Sequence, residues 1–416
     1  MSSDTWSDTW FDIWGNLFAP PPPLATGSWT PRVRLADLTL ADPFLFDSLT
    51  LVERYGQPDT LSITGHVDDL RPAFTPGSGI VLVDDNGEQR FSGVAGQAPK
   101  PFVERNGDQT ATLTYDSDLV VLWERICWPT PASAWTSQTT AYDVQTATHE
   151  ARILGYITRN AGSSAFNSGT LDRRVPSLTI PASLGRGTSA KTSARFQNLG
   201  QLVAELAEAA NLRVTIRHDV TAGELVVVIE DTPDLSAWAR FGDASTGALG
   251  LLDEDWRYSL GTPGATTVLS AAKGELENRA LNLLERNSRK VAWGRHIELF
   301  VDQRGSDDAS EITEGMTTAM EEAIPTFEVS APIAAGDLDF GPGAGAIPVG
   351  AKVSVSLDGA VIVDRVRQVT TTVSATANEP TVKVEPLFGT PDAALPIDQQ
   401  ALRKALQRLR NLERNL

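Results

Sequence analysis

The chain predicts an α+β, β-rich multidomain protein: small β-barrel or sandwich modules flanking α+β modules, with terminal helices. Three observations lead there. Short alternating runs bounded by turn residues fill both outer parts of the chain, amphipathic runs in the middle are followed by strand-like text, and 416 residues exceed what one hydrophobic core organises. Composition and punctuation divide the chain into a Trp-rich arm and Pro linker over 1–30, a β-barrel domain over 31–135 and an α+β domain over 136–245. A second α+β or β domain follows over 246–326, then a C-terminal β-barrel domain over 327–391, and a linker with a docking helix over 392–416.

The first β module is the most legible. Leu61 and Ile63 alternate with Thr60, Ser62 and Thr64, the two-residue period of a half-buried strand. Ile80, Val81, Leu82 and Val83 run unbroken, which asks for cover on both faces. Asp84, Asp85, Asn86 and Gly87 follow, and Asn-Gly supplies the positive φ of a tight hairpin turn. Residues 119–126 read as a short helix or buried strand with Asp118 as its N-cap. Late in the chain Val353, Val355 and Leu357 alternate, Asp358 and Gly359 turn, and 361–369 returns as the partner strand.

In the middle, 148–157 reads as a helix, and 196–210 carries one apolar face of Phe196, Leu199, Leu202, Val203, Leu206 and Ala210. Strands are expected at 213–217 and 224–230, then at 266–270 and 292–300. A helix over 310–324 opens with capping spacing at Ser310. The single cysteine, Cys127, excludes an internal disulfide, and its neighbours Ile126 and Trp128 make it a buried structural thiol.

Chemistry is tested against these placements. His149 and Glu150 begin like a zinc-protease helix, but Ile153 stands where the second His must project. The acidic loop 304–308 lacks the alternating ligands and closing Glu of a calcium loop. The Gly-rich stretch 341–348 lacks the Gly-Lys-Ser/Thr of a phosphate cradle. No metal and no cofactor is expected. His66, His149, His218 and His296 have no nucleophile or ligand at informative spacing, which favours a non-enzyme; a carboxylate pair among 53 Asp and Glu is the open alternative. A net charge of −18 argues against stable nucleic-acid binding, and no run approaches the ~20 apolar residues of a membrane span.

The order of these segments resembles siphophage tail-tip hub proteins, the minor tail or baseplate hub proteins. The resemblance is carried by the strand around Arg54 and Tyr55, the hairpin from Pro76, Gly77, Ser78 and Gly79 to Phe91, Ser92 and Gly93, and the strand over 112–118. It continues through Asn160, Arg173, Arg174 and the Leu178, Thr179, Ile180 strand to the late pair 348–355 and 362–369. It implies a structural homotrimer in the virion at the tail tip, joined to a distal tail protein and to receptor-binding or fibre proteins, with DNA passing through its channel. A cell-wall hydrolase carried at that tip, a glycosidase or peptidase, is the alternative.

The termini supply the candidate interaction residues. Trp6, Trp10 and Trp14 recur every four residues, and Ile13, Leu17 and Phe18 widen the same face before four prolines end any helix. At the other end Leu402, Leu406, Leu409, Leu412 and Leu416 form a seam suited to a docking helix. Arg403, Lys404, Arg408, Arg410 and Arg414 against Asp398 and Glu413 leave 398–416 at net +3, so the remainder carries −21. Burying each Trp is favourable by roughly 2–3 kcal/mol at most. The Trp face docks either on the chain's own body or on a partner: with a partner, deleting residues 1–19 should leave the body folded and weaken incorporation into tails, whereas unchanged incorporation with a strongly lowered melting temperature would show self-docking, measured by thermal melting and by quantifying the protein in purified particles.

Overall fold

A computed structural model describes residues 29–389, except 75–76, 85–86, 97–102, 106–109, 243–249, 253–256, 324, 326, 331–332, 337–339, 342–344, 358–359 and 375–380. Trp6, Trp10, Trp14, Leu402, Leu406, Leu409, Leu412 and Leu416, and with them both expected terminal helices, lie outside the described residues.

The chain opens with β1 (Thr30–Arg34), β2 (Leu40–Pro43), β3 (Ser48–Arg54) and β4 (Thr60–His66), the short helix α1 (Val67–Leu70), the hairpin β5 (Gly79–Val83) and β6 (Gln89–Ala95), then β7 (Val103–Arg105) and β8 (Thr110–Ser117). Every second residue of β3 and β4 is buried, as the sequence period requires. Leu49, Leu51, Leu61 and Ile63 thereby meet Ile80, Leu82, Phe91, Leu113 and Tyr115 in one core. The hairpin turns at Gly87, φ 78°.

The helix α2 (Val120–Trp123) leads to β9 (Asp143–Thr148), α3 (His149–Asn160), β10 (Leu178–Thr179), β11 (Ser189–Ala194), α4 (Leu199–Ala209) and the hairpin β12 (Leu212–Asp219) and β13 (Glu224–Asp231). The apolar faces of α3 and α4 pack with β12 and β13 around Ile153, Tyr156, Leu202, Val203, Val214 and Val227, and Cys127 is fully buried among them. Three short strands follow, β14 (Arg240–Gly242), β15 (Gly250–Leu252) and β16 (Arg257–Leu260). A small module comes next: β17 (Thr267–Ala271), β18 (Leu281–Glu285), α5 (Asn287–Trp293), β19 (Glu298–Asp302) and α6 (Ala309–Glu322). It has its own core of Val268, Ile312, Met316 and Met320. The chain then runs through β20 (Phe327–Ser330), β21 (Ile333–Gly336), β22 (Lys352–Leu357), β23 (Ala360–Ser374) and β24 (Thr381–Gly389).

Barrel closure, expected for 31–135 and 327–391, is not found among the described residues. Among the described residues sixteen strands form one sheet, whose main path runs β2-β1-β5-β6-β8-β4-β3-β23-β22-β14-β15-β21. The reason is the edge of β3. It is taken by β23, in register from Gln368 opposite Arg54 to Ser374 opposite Ser48, and is no longer open to close on β1. Besides β3, the 15 residues of β23 serve two partners in turn, pairing with β22 through residues 360–365 and with β24 from Val366 on. The core beneath its middle holds Phe241, Val353, Val366 and Phe388, with the Phe241 and Phe388 rings 5.2 Å apart.

Four local expectations are corrected. Asp118 does not cap α2, whose N-cap is Leu119, because its carboxylate is drawn inward to Arg34. The helix expected from 196 begins at Leu199 with Asn198 accepting from the Gln201 amide, while Phe196 stays outside at φ 53°, its N–H donating to the Cys127 carbonyl. Asp308, two residues before Ser310, caps α6 by accepting from the Ser310 and Glu311 amides. The stretch 292–300 is the end of α5, stopped by Gly294 at φ 58°, followed by β19.

Close strand contact gives a direct test. A Cβ on Gly93 would lie 2.2 Å from the Asp116 carbonyl oxygen, whereas one on Gly87 would meet nothing within 4 Å. Gly93→Ala should lower stability by about 1–3 kcal/mol, and Gly87→Ala, strained only at its backbone, by about 1 kcal/mol; urea unfolding midpoints would measure both.

Candidate functional site: a charged junction between the modules

The chemistry-bearing side chains gather where the first β module meets β12. The reason is visible in strand phase. Glu53 falls in step with the buried Leu49 and Leu51, and His218 in step with Leu212, Val214 and Ile216, so each is carried inward with its apolar neighbours. A buried charge must then find a partner.

Arg34 and Asp118 form the centre. Both Asp118 oxygens accept from the Arg34 guanidinium at 2.6 Å, and Arg34 also donates to the Gly93 carbonyl at 3.2 Å. Ser92 Oγ donates to Asp118 at 2.6 Å and accepts from the His218 backbone amide at 3.2 Å, which ties the first module to β12. Beside it lies a second cluster. Arg90 pairs with Glu53 at 3.1 Å and stacks over Trp29, its guanidinium carbon 5.1 Å from the ring centroid, and Arg213 lies 3.9 Å from Asp59 and 4.0 Å from Glu53. Burial, opposed by Arg213 and reinforced by Glu53, pushes the Asp59 carboxyl up to about 6. The cavity among these groups measures ≈ 40 Å³, enough for one or two waters and too small for a sugar or peptide.

Two further contacts lock other units together. Tyr55 donates to the Leu212 carbonyl at 2.9 Å, and Arg365 lies over its ring while donating to Gly350, Thr232 and Asn211. Arg367 reaches Glu208 at 2.7 Å and the Gly389 carbonyl at 2.8 Å. On the far side of the α+β module, fully buried Arg152 and His149 of α3 converge on Glu314 of α6, at 3.1 and 2.9 Å. Burial alone would raise Glu314, but hydrogen bonds from His149 and Arg152 hold it below its ordinary value.

Ser92, His218 and Asp118 make a nominal serine triad, and its geometry is wrong for catalysis. Ser92 Oγ gives its proton to a carboxylate already paired with arginine, and His218 meets Ser92 through its backbone amide. All three are at most 4 % exposed, and burial followed by the charge of Arg34 lowers the His218 imidazole. The base that the hydroxyl meets is a carboxylate neutralised by Arg34, not an imidazole, and the hydroxyl is buried away from any substrate. What the junction does is fix orientation. His149, the start of the apparent metal motif, is a hydrogen-bond partner of Glu314, and Ile153 is core. Asn160, singled out by the resemblance, accepts from the Trp128 amide, and Arg173 stacks on the Trp128 ring at 4.0 Å.

Sequence reasoning missed Arg34, Glu53, Arg90 and Arg365. A charged residue in the inward phase of an apolar strand was the available signal for Glu53; Arg34, next to buried Val33 rather than two residues from it, offered none.

Comparison with known proteins agrees with this architecture. The family model described as Siphovirus ReqiPepy6 Gp37-like protein matches residues 35–390. A search of curated proteins gives no match. Among solved structures, the chain is similar to the prophage tail protein gp18 from Listeria monocytogenes, at 11% identity and TM-score 0.53 over 91% of this chain and 99% of that one. It is also similar to the tail protein from Neisseria meningitidis, at 11% identity and TM-score 0.51 over 88% and 98%. The 43 kDa tail protein of prophage MuSo2 from Shewanella oneidensis gives 11% identity and TM-score 0.50 over 88% and 99%. With the family model covering most of its length and its fold shared with phage tail proteins, this chain belongs to the siphovirus ReqiPepy6 Gp37-like protein family.

Proposed function

We propose that this protein is a hub of a siphovirus tail tip or baseplate, a homotrimeric ring on the tail axis that joins the tube to receptor-binding or central-fibre components. The observation that carries the reading is the junction itself. Buried charge is used throughout to clamp modules to one another, with a cavity of ≈ 40 Å³ between them, and a rigid frame is what an axial connector needs. Contacts to the distal tail protein and to fibre neighbours are assigned to Trp6, Trp10 and Trp14 at one end and to the leucine seam Leu402, Leu406, Leu409, Leu412 and Leu416 at the other. A chain with 53 carboxylates against 35 Lys and Arg lets DNA pass without holding it.

Mass measurement of the purified protein together with images of intact tails tests the hub reading. Three copies around the axis at the tip are expected; a monomer or hexamer without three-fold symmetry in the virion removes it. The clamp role has its own test. Asp118→Ala leaves Arg34 buried and unpaired and should cost about 3–5 kcal/mol in urea unfolding, while Arg34→Met with Asp118→Leu should recover most of that loss.

A further inference from the structure

The outer face of the β17–β19 sheet is unusual for a surface. Strand register sets its side chains in three rows: Glu285, Thr267 and Glu298; Leu283, Leu269 and Phe300; Leu281, Ala271 and Asp302. The opposite face, through Leu284, Val268 and Leu299, is covered by α6. On the outer face Leu283 and Phe300 of the middle row are 65 and 56% exposed and Leu281 of the next row 64%, while Thr267 and Ala271 of the central strand are buried, so apolar side chains of the two edge strands lie open beside a pair of carboxylates. Such a patch on strands with two free edges calls for a cover.

The chain contains a segment that fits it. Residues 398–416 carry a leucine seam and net +3, whereas the module over 265–323 holds seven Lys and Arg against eleven Asp and Glu. Glu298, 73% exposed, has His296 beside it at 3.1 Å, and Glu285 is held by Lys290 at 2.9 Å, so the acidic row offers exposed carboxylate to added cations. The anchor of the leash lies close to the module along the chain. Gly389, the last described residue, pairs with Glu328 of β20, six residues beyond the end of α6. Residues 390–397 can span about 26–29 Å when extended, against a sheet about 17 Å long.

We propose that in the free protein residues 398–416 seat their leucine seam on the outer face of β17–β19 of the same chain, hiding two apolar surfaces at once. The seat is a property of the isolated chain and stands or falls independently of the hub reading. The test is disulfide trapping in the full-length protein, where native Cys127 is fully buried. Leu283→Cys with Leu409→Cys should crosslink within one chain on mild oxidation, about tenfold faster than Leu184→Cys with Leu409→Cys, because the seat raises the local concentration. Glu285→Lys with Glu298→Lys should bring the rate down to that of the control pair. Crosslinks formed only between chains would assign the face to a second copy, and a rate no faster than the control would leave the segment unseated; either result overturns the proposal.

Discussion

The fold depends on the open edge of β3. A strand edge exposes a row of backbone donors and acceptors that must be met by another strand or by water. Here β23 meets it over seven residue pairs, from Gln368 opposite Arg54 to Ser374 opposite Ser48. That single pairing joins segments about 320 residues apart, and through β22 and β24 it draws β14, β15, β20 and β21 into the same sheet. A closed N-terminal barrel would have used this edge locally and left the two ends of the chain as separate bodies.

Once the sheet is continuous, the α+β module can be held against it, and the holding is done by charge. Removing Arg34, Glu53, Arg90 and Asp118 from water is costly, and the cost is offset only when partners stand in place. Bidentate geometry at 2.6 Å, a serine hydroxyl and a backbone carbonyl complete the shell of the Arg34–Asp118 pair. Apolar packing alone tolerates sliding, whereas a desolvated ion pair that shifts loses its partner while still buried. The clamps therefore give the modules one arrangement. Arg365 and Arg367 around Tyr55 act the same way at the late hairpin, and Glu314 between His149 and Arg152 does so for the small module.

This use of polar residues separates the Ser92 junction from a catalytic site built of the same residue types. A catalytic site keeps a reactive group within reach of substrate and hydrogen-bonded to a base that is free to take its proton. At Ser92 the hydroxyl is spent on a carboxylate and the carboxylate on an arginine. The same residues in a looser arrangement would invite a hydrolytic reading; the hydrogen-bond directions decide against it at this site.

The sequence by itself determined the local elements, because strand and helix periods act over a few residues. The β3–β4 alternation, the β5–β6 hairpin at Gly87, the α3 and α4 helices, the β12–β13 hairpin and buried Cys127 were all readable there. Helix starts were less so, since the cap at Asp308 and the detour at Phe196 depend on which side chain the surrounding chain leaves free. Only the tertiary structure decided that β3 pairs with β23 and that Asp118 turns to Arg34, 84 residues away. Neither has a local signal: an edge strand reads the same whichever partner it takes, and a carboxylate before a helix looks like a cap until a buried guanidinium competes for it.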